Sequence, residues 1–343
     1  MGAAMKAHTF VTLALAAVVS SVAASAIYAW NNQWGAGRVS GAAMLPVLAS
    51  GKAQVASVAI TQGGNTLTFE IKDGRWSIKE RSGYPADVQK IRAFLVKLSQ
   101  AELIEGKTRK PDRYAMLELE DPTAKDAKSR AVRLLDGNGG VLADAVIGKR
   151  RWDAFGSGKG GTYVRLAGDP QTWLANAEFD VTADVRSWIK PNVFETESAK
   201  ISRLTIEIPG EEPLRIERGS ATDGKASFIG LPEGKKLKDA SAADSVLQAA
   251  SAIEADDVRK VDRMPVGDGV NTVSFSTSDG ITVTMKLRKD GDATWVSLSA
   301  SGEGDAKSAA EAMNTRTAGW EFKIPGYKAD SLLKRRGDLL ESS

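Results

Sequence analysis

From Val55 onward, apolar residues fall at every second position: Val58 and Ile60, then Leu67, Phe69 and Ile71, then Trp76 and Ile78. A β-strand sends successive side chains to opposite faces, so this spacing builds strands with one buried face. Gly63-Gly64-Asn65 and Asp73-Gly74 separate the runs and supply tight turns, which predicts an antiparallel three-strand meander. The period then changes. Val88, Ile91, Leu95 and Leu98 trace one face of an α-helix. Pro85 and Asp87 suit its opening turn, because proline lacks the amide that would go unpaired there and an acid suits the positive end of the helix. Gly106 is the expected stop. Further strands follow at Val132 and Leu134, at Val141 to Ile147 after the turn Asp136 to Gly140, and at Tyr163 to Leu166.

The same order recurs. Leu204, Ile206 and Ile208 lead through Gly210 to Leu214 and Ile216, then Phe228 and Ile229. Ser241 is a candidate helix cap before Val246, Ala250 and Ile253, which lie a constant 155 positions after Ile91, Leu95 and Leu98. Val273 and Phe275, the turn Ser278-Asp279-Gly280, Ile281 to Leu287, and Trp295-Val296 complete the set. The expectation is an α+β fold of two tandem units, 55–198 and 199–302, each an antiparallel sheet with an amphipathic helix, related by duplication. Between them, Val185, Trp188 and Ile189 predict a short helix broken at Pro191. Residues 303–343 read as an extension: a helix Ala306 to Met313, a strand through Trp320, Phe322 and Ile324 ended by Pro325, and a helix Asp330 to Leu340 that carries Gly337 in its middle.

Thr9 to Trp30 contains no charged side chain. At about 1.5 Å rise per residue such a helix spans roughly 33 Å, enough for the hydrocarbon layer. Residues 1–8, with Lys6 and the N-terminal amine, then form a cytoplasmic stub ahead of a transmembrane anchor at 9–30. Tyr28, Trp30 and Trp34 stand where an interfacial aromatic belt belongs. The alternative is a cleaved signal peptide, with the apolar run Phe10 to Ala23 before Ala24-Ser25-Ala26. Both readings place the body outside the cytoplasmic membrane, and the first makes this a single-pass protein of the bacterial inner membrane with a periplasmic body. Residues 31–54, rich in glycine, read as a linker in which Met44, Leu45, Val47 and Leu48 could form a docked turn.

Several chemistries are excluded by residue type. The chain has no cysteine, and its one histidine is His8, so neither a thiol nucleophile, a Ser-His-Asp triad nor a multi-histidine metal site can be built within it. Forty-six Lys and Arg against 43 Asp and Glu leave +3, too little and too dispersed for a nucleic-acid binder. Gly156 to Thr162 suggests a phosphate loop, but Asp153 occupies the first glycine slot, Gly160 follows Lys159, and a strand pattern comes next. Asp279-Gly280 and Asp290-Gly291-Asp292 are hairpin turns with too few ligands for calcium. Glu118, Glu120 and Asp121 read as solvated acids, and no Ser-x-x-Lys element opens a helix. Lys107 to Lys110 and Lys149 to Arg151 are basic clusters. Trp76, Trp295 and Trp320 fall on the apolar phase of strands and are expected in the core, whereas Trp152 and Trp173 lie in expected loops and are the candidates for exposure. No catalytic residue, metal ligand or cofactor site is assigned.

Asp73-Gly74-Arg75-Trp76, Tyr84-Pro85-Ala86-Asp87 before an amphipathic helix, Asp121-Pro122, Ile147-Gly148, Thr162-Tyr163-Val164-Arg165, and Asp184 to Trp188 ahead of Pro191 occur in that order. In this order the chain resembles the bacterial domain-of-unknown-function family numbered 4340, closely from Val55 to Ile206 and loosely beyond. It departs at Tyr114-Ala115-Met116-Leu117, where the family often has Tyr-Gly-Leu. The resemblance implies an exported, membrane-anchored protein, often encoded beside ABC-transporter components of the gliding-motility type, and implies no catalytic residues. The expected function is an accessory or scaffold protein docking on integral-membrane transporter subunits. The alternatives are a binding module for an envelope polymer or small ligand, and a hydrolase using Ser, Lys and carboxylates.

Overall fold

The computed structural model describes residues 41–219, 224–231, 237–239 and 241–341. Thr9 to Trp30, and with it the choice between anchor and signal peptide, lies outside the described residues, as does 31–40 of the expected linker. Among the described residues no helix is long and apolar enough to cross a membrane. The fold is α+β, with large antiparallel sheets and several helices.

The chain begins with β1 (Ala42–Ala43) and α1 (Pro46–Ala49), then the meander β2 (Ser57–Gln62), β3 (Asn65–Lys72), β4 (Arg75–Ile78) and β5 (Tyr84–Pro85). Its turns are where the sequence puts them: Gly63 and Gly64 have φ of 58° and 77°, Asp73 and Gly74 of 51° and 74°. Next come α2 (Val88–Gln100), β6 (Glu102–Gly106), β7 (Arg130–Leu135), β8 (Val141–Arg151), β9 (Gly161–Leu166) and β10 (Thr172–Ala175). The second half holds β11 (Asn192–Glu195), β12 (Ile201–Glu207), β13 (Leu214–Arg218), β14 (Ala226–Ile229), α3 (Ala242–Ala250), β15 (Ala252–Glu254), β16 (Asp257–Lys260), β17 (Val270–Thr277), β18 (Ile281–Asp290) and β19 (Ala293–Gly302). It ends with α4 (Ala306–Thr317), β20 (Trp320–Ile324), α5 (Gly326–Leu332) and α6 (Arg336–Leu339). These elements form two compact units. One runs to Thr66 and takes in Gln89–Ala183; the other joins Leu67–Val88 to Asp184–Ser343.

In the first unit the strands lie in the order β1-β6-β10-β9-β8-β7-β2. Val58 faces Leu134 and Ile60 faces Val132, and all four are buried on one side of the sheet. Ile91, Phe94 and Leu98 form the buried stripe of α2. This corrects the expected face: Leu95 is half-buried and Val88 exposed, because Phe94 takes the inward position between Ile91 and Leu98. Gly106 does not stop the helix. Gln100 ends it, and Gly106 is the last residue of β6, held opposite Trp173 of β10. The described part of the expected linker is packed rather than free. Ala42 and Ala43 pair with Leu103 and Glu102, the amide of Met44 donates to the Ala101 carbonyl at 2.8 Å, and Met44, Leu45 and Leu48 are buried. Burying each of the three contributes about 1.5–3 kcal/mol, enough to hold so short an element.

In the second unit the main sheet runs β14-β13-β12-β17-β18-β19-β20-β16, with a separate β11-β15 pair. Leu204, Ile206, Val273, Phe275, Val283 and Met285 alternate onto its core face. Val246, Leu247 and Ala250 are the buried side of α3, while Ile253 lies past its end in β15. Ser241 sits at the cap position, but its hydroxyl bonds Asp239 at 2.8 Å rather than a helix amide. β3, β4 and β5 bring Phe69 to Trp188 at 5.0 Å between ring centres and Tyr84 edge-on to Trp320 at 4.9 Å. The short helix before Pro191 is one 3-10 turn, Val185–Trp188, capped by Asp184. Asn314 of α4 acts as a piece of strand: its carboxamide accepts from the amide of Ala300 and donates to the same residue's carbonyl, each at 2.8 Å. The expected terminal helix is two pieces, α5 and α6. Pro325 precedes the first, and Gly337 falls inside the short second one.

Strand for strand, β6-β10-β9-β8-β7-β2 in the first unit has the neighbour order of β16-β20-β19-β18-β17-β12 in the second. Along the chain β3 and β4 follow β2 as β13 and β14 follow β12, and an α-helix then follows, after β5 in the first case.

Candidate functional site

The signals that the fold did not absorb meet at one place in the first unit. β8 ends at Arg151 after a register shift between Ile147 and Arg150, and Arg150 near its end lies against Trp152 just past it. The Arg150 guanidinium lies 4.1 Å from the centre of the Trp152 ring, and the indole is 70% exposed. Arg150 also forms an ion pair with Glu178. Beside this pair opens a cleft of about 850 Å³. Its charged lining is Lys97, Arg150 and Lys159 against Glu178 and Asp180, and Gln100, Phe155 and Asn176 also face it.

Each wall is fixed by local structure. Lys97 comes from the last turn of α2 and donates its ammonium to the Glu178 carbonyl at 3.1 Å. Asn176 is locked by Glu102, whose amide and carboxylate it meets at 2.8 and 2.9 Å. The amide of Phe179 donates to the Thr162 hydroxyl at 3.1 Å. The rim is the glycine-rich loop. Gly156, Ser157 and Gly158 have φ of 73°, 53° and 72°, and the loop is closed by its own amides: Phe155 to the Lys159 carbonyl at 3.1 Å, Lys159 to Gly156 at 3.0 Å, and Gly158 to the Asp153 carboxylate at 3.2 Å. At Gly160 a Cβ would come within 2.3 Å of the Glu178 carboxylate, so the missing side chain lets Glu178 lie this close to the loop.

The other sequence candidates have structural roles. Glu120 accepts the amides of Lys128 and Ser129 at 2.6 and 3.1 Å, Asp121 accepts both the amide and hydroxyl of Thr123, and Glu118 lies 3.9 Å from Arg130. The two Thr123 bonds, amide first, hold the Asp121 carboxyl below its ordinary value. Lys107 pairs with Glu105. Trp173 is not in a loop: it lies on β10 and is half-buried. Trp76, Trp295 and Trp320 are half-buried rather than core, and Trp295 stacks under Arg259 at 4.0 Å. Among the described tryptophans Trp188 is the buried one, with Phe69 at 5.0 Å between ring centres. Arg259 and Arg288 both bind the Glu321 carboxylate, which is wholly buried. Among the described residues no group of His, Cys, Asp or Glu clusters as metal ligands. Sequence reasoning missed Glu178 and Lys97 as partners of the Trp152 region, since neither is near it in the chain.

The motifs that order the chain are turn and packing positions. A Cβ at Gly148 would stand 2.2 Å from the Leu117 carbonyl, so the loop before β7 passes directly over that residue. At the departure Tyr114 to Leu117 the chain makes a 3-10 turn, with the Tyr114 hydroxyl donating to the Pro170 carbonyl at 2.6 Å. A family model described as domain of unknown function (DUF4340) matches residues 76–271. No curated protein and no solved structure matches the chain.

Proposed function

The chain belongs to the DUF4340 family, and on that premise we propose that it is an accessory or scaffold protein without catalysis of its own, anchored by Thr9–Trp30 and docking outside the cytoplasmic membrane on subunits of an ABC-transporter-like complex. Its body is a duplication, two antiparallel sheets each with an amphipathic helix; the matched strand orders support this.

The observation that carries the reading is the second face of the second unit's sheet. Thr205, Ser274, Thr284 and Ser299 stand side by side in register across β12, β17, β18 and β19, all half-exposed. A row of small hydroxyls across a sheet gives a partner backbone or side chain close approach with hydrogen bonds available. Two pairs of large charged groups near it are engaged with each other, Arg203 with Glu217 at 2.9 Å and Arg288 with Glu321 at 2.7 Å. A helix in the membrane would raise the local concentration of that face near integral-membrane partners, so a modest interface would suffice.

The test purifies tagged full-length protein in mild detergent, with Ser274→Glu and Thr284→Arg as face variants. Docking requires that wild type co-purify with transporter subunits, that an unrelated membrane anchor preserve this, and that both face variants lose it. Turnover of an envelope substrate by the body alone, or unchanged co-purification in the face variants, would overturn the reading.

A further inference from the structure

We propose that the first unit's cleft binds an acidic sugar chain, stacked on Trp152 and held by Lys97 and Lys159. This goes beyond docking and stands on different residues. Trp152 leaves 70% of its surface in water, although a tryptophan gains much by burial. Arg150, which lines the cleft, covers one ring face at 4.1 Å, and the rest of the exposed indole beside it is open to a flat, weakly polar partner. The C–H face of a pyranose is such a partner. The cleft, about 850 Å³, falls in the roughly 300–1,000 Å³ range of small-ligand sites.

Charge selects among sugars. Arg150 and Glu178 neutralise each other, which leaves Lys97 and Lys159 against Asp180 alone. Lys97 gives one hydrogen to the Glu178 carbonyl and keeps its remaining donors for a ligand. The anion is a carboxylate on a ring rather than a cradled phosphate. Phosphate cradles use loop amides, and here those of Phe155, Gly158 and Lys159 are already bonded within the loop.

The probes are oligogalacturonate, neutral maltoheptaose, inorganic phosphate and phosphatidylglycerol vesicles, each titrated into full-length protein in detergent by calorimetry and tryptophan fluorescence. Oligogalacturonate should bind, with an indole fluorescence change and with affinity that falls as salt rises. Trp152→Ala and Lys159→Gln should each weaken it about tenfold or more, while Lys289→Gln leaves it unchanged. Both variants alter exposed side chains, and unchanged thermal melting confirms the fold. Failure of oligogalacturonate to bind, equal binding of maltoheptaose, binding indifferent to Trp152→Ala, or Trp152-dependent binding of phosphate or vesicles in its place would each overturn the proposal.

Discussion

Arg81 grips Asp257 with both prongs of its guanidinium, Nε at 2.6 Å and Nη2 at 2.9 Å, across 176 positions of sequence. The fork geometry of Arg matches a carboxylate. Arg81 follows β4 and Asp257 opens β16, so the pair ties the early meander into the second unit. Both side chains remain about a quarter to a third exposed, which limits the worth of the pair. A double-mutant cycle with Arg81→Ala and Asp257→Ala should return a coupling of about 0.5–1 kcal/mol in urea denaturation. A coupling of zero would mean that water replaces the pair at no loss.

Leu98 carries the packing of α2, since it is fully buried. Leu98→Ala should destabilise the protein by about 2–5 kcal/mol, and Leu95→Ala, half-buried, by clearly less. Chemical denaturation of the two variants side by side checks the order, which reverses if the helix presents a different face.

Gly148→Ala should be among the most damaging small changes in the chain. The new methyl would sit 2.2 Å from the Leu117 carbonyl, so the loop or β8 must shift. A loss of about 2–4 kcal/mol is expected from such overpacking, read as a lowered melting temperature.

Asp121 makes stability depend on acid. Its carboxyl titrates below the ordinary value because the amide and hydroxyl of Thr123 bond the ionised form. A group depressed in the folded state contributes stability that is present above its unfolded pKa and lost as pH falls through the folded one. Asp121→Asn should therefore lower stability at neutral pH and narrow the gap from wild type as pH drops below about 4. Melting temperatures across that range give the answer, and a constant gap would show that the Thr123 bonds do not favour the ionised form.

Asn314→Leu removes the side chain that completes the edge of β19 at Ala300. The half-buried amide and carbonyl of Ala300 lose their partner, which should cost about 1–3 kcal/mol for the two bonds. Hydrogen exchange at the Ala300 amide should accelerate in this variant if the carboxamide is its protection.

Much of the fold was legible because its determinants are local. Alternation gave β2 to β4, and the turn residues gave their boundaries, since Asp73-Gly74 and Gly63-Gly64 tolerate the positive φ that these tight turns take. The shared order of the two halves was legible from the succession of strands and turns. The constant 155-position spacing was not a structural equivalence, since Leu98 lies in α2 and Ile253 past the end of α3. What escaped depends on distance along the chain. Gly41 to Leu48 looks like linker until β6 is there to pair with it, and Ile71 and Trp76 follow the apolar phase yet stay partly in water. At the cleft, the exposure of Trp152 was legible, since it stands in a loop, but Arg150 meets it only past a register shift in β8, and Glu178 and Lys97 reach the place only through the path of β10 and α2.

The grouping of Leu67–Val88 with residues beyond Asp184 also imposes an order of events on a chain made from its N-terminus. When β3, β4 and β5 are first synthesised, the partners of Phe69 and Tyr84 do not yet exist, since Trp188 and Trp320 come much later. The rest of the first unit, from Gln89 to Ala183, is complete before them. The meander must therefore wait with its apolar side chains unclaimed, a long-range closure of the kind that slows folding and invites wrong pairings. Such a chain gains from a holding chaperone during its synthesis, and cutting it at the midpoint of its sequence would strand the meander from the residues it packs on.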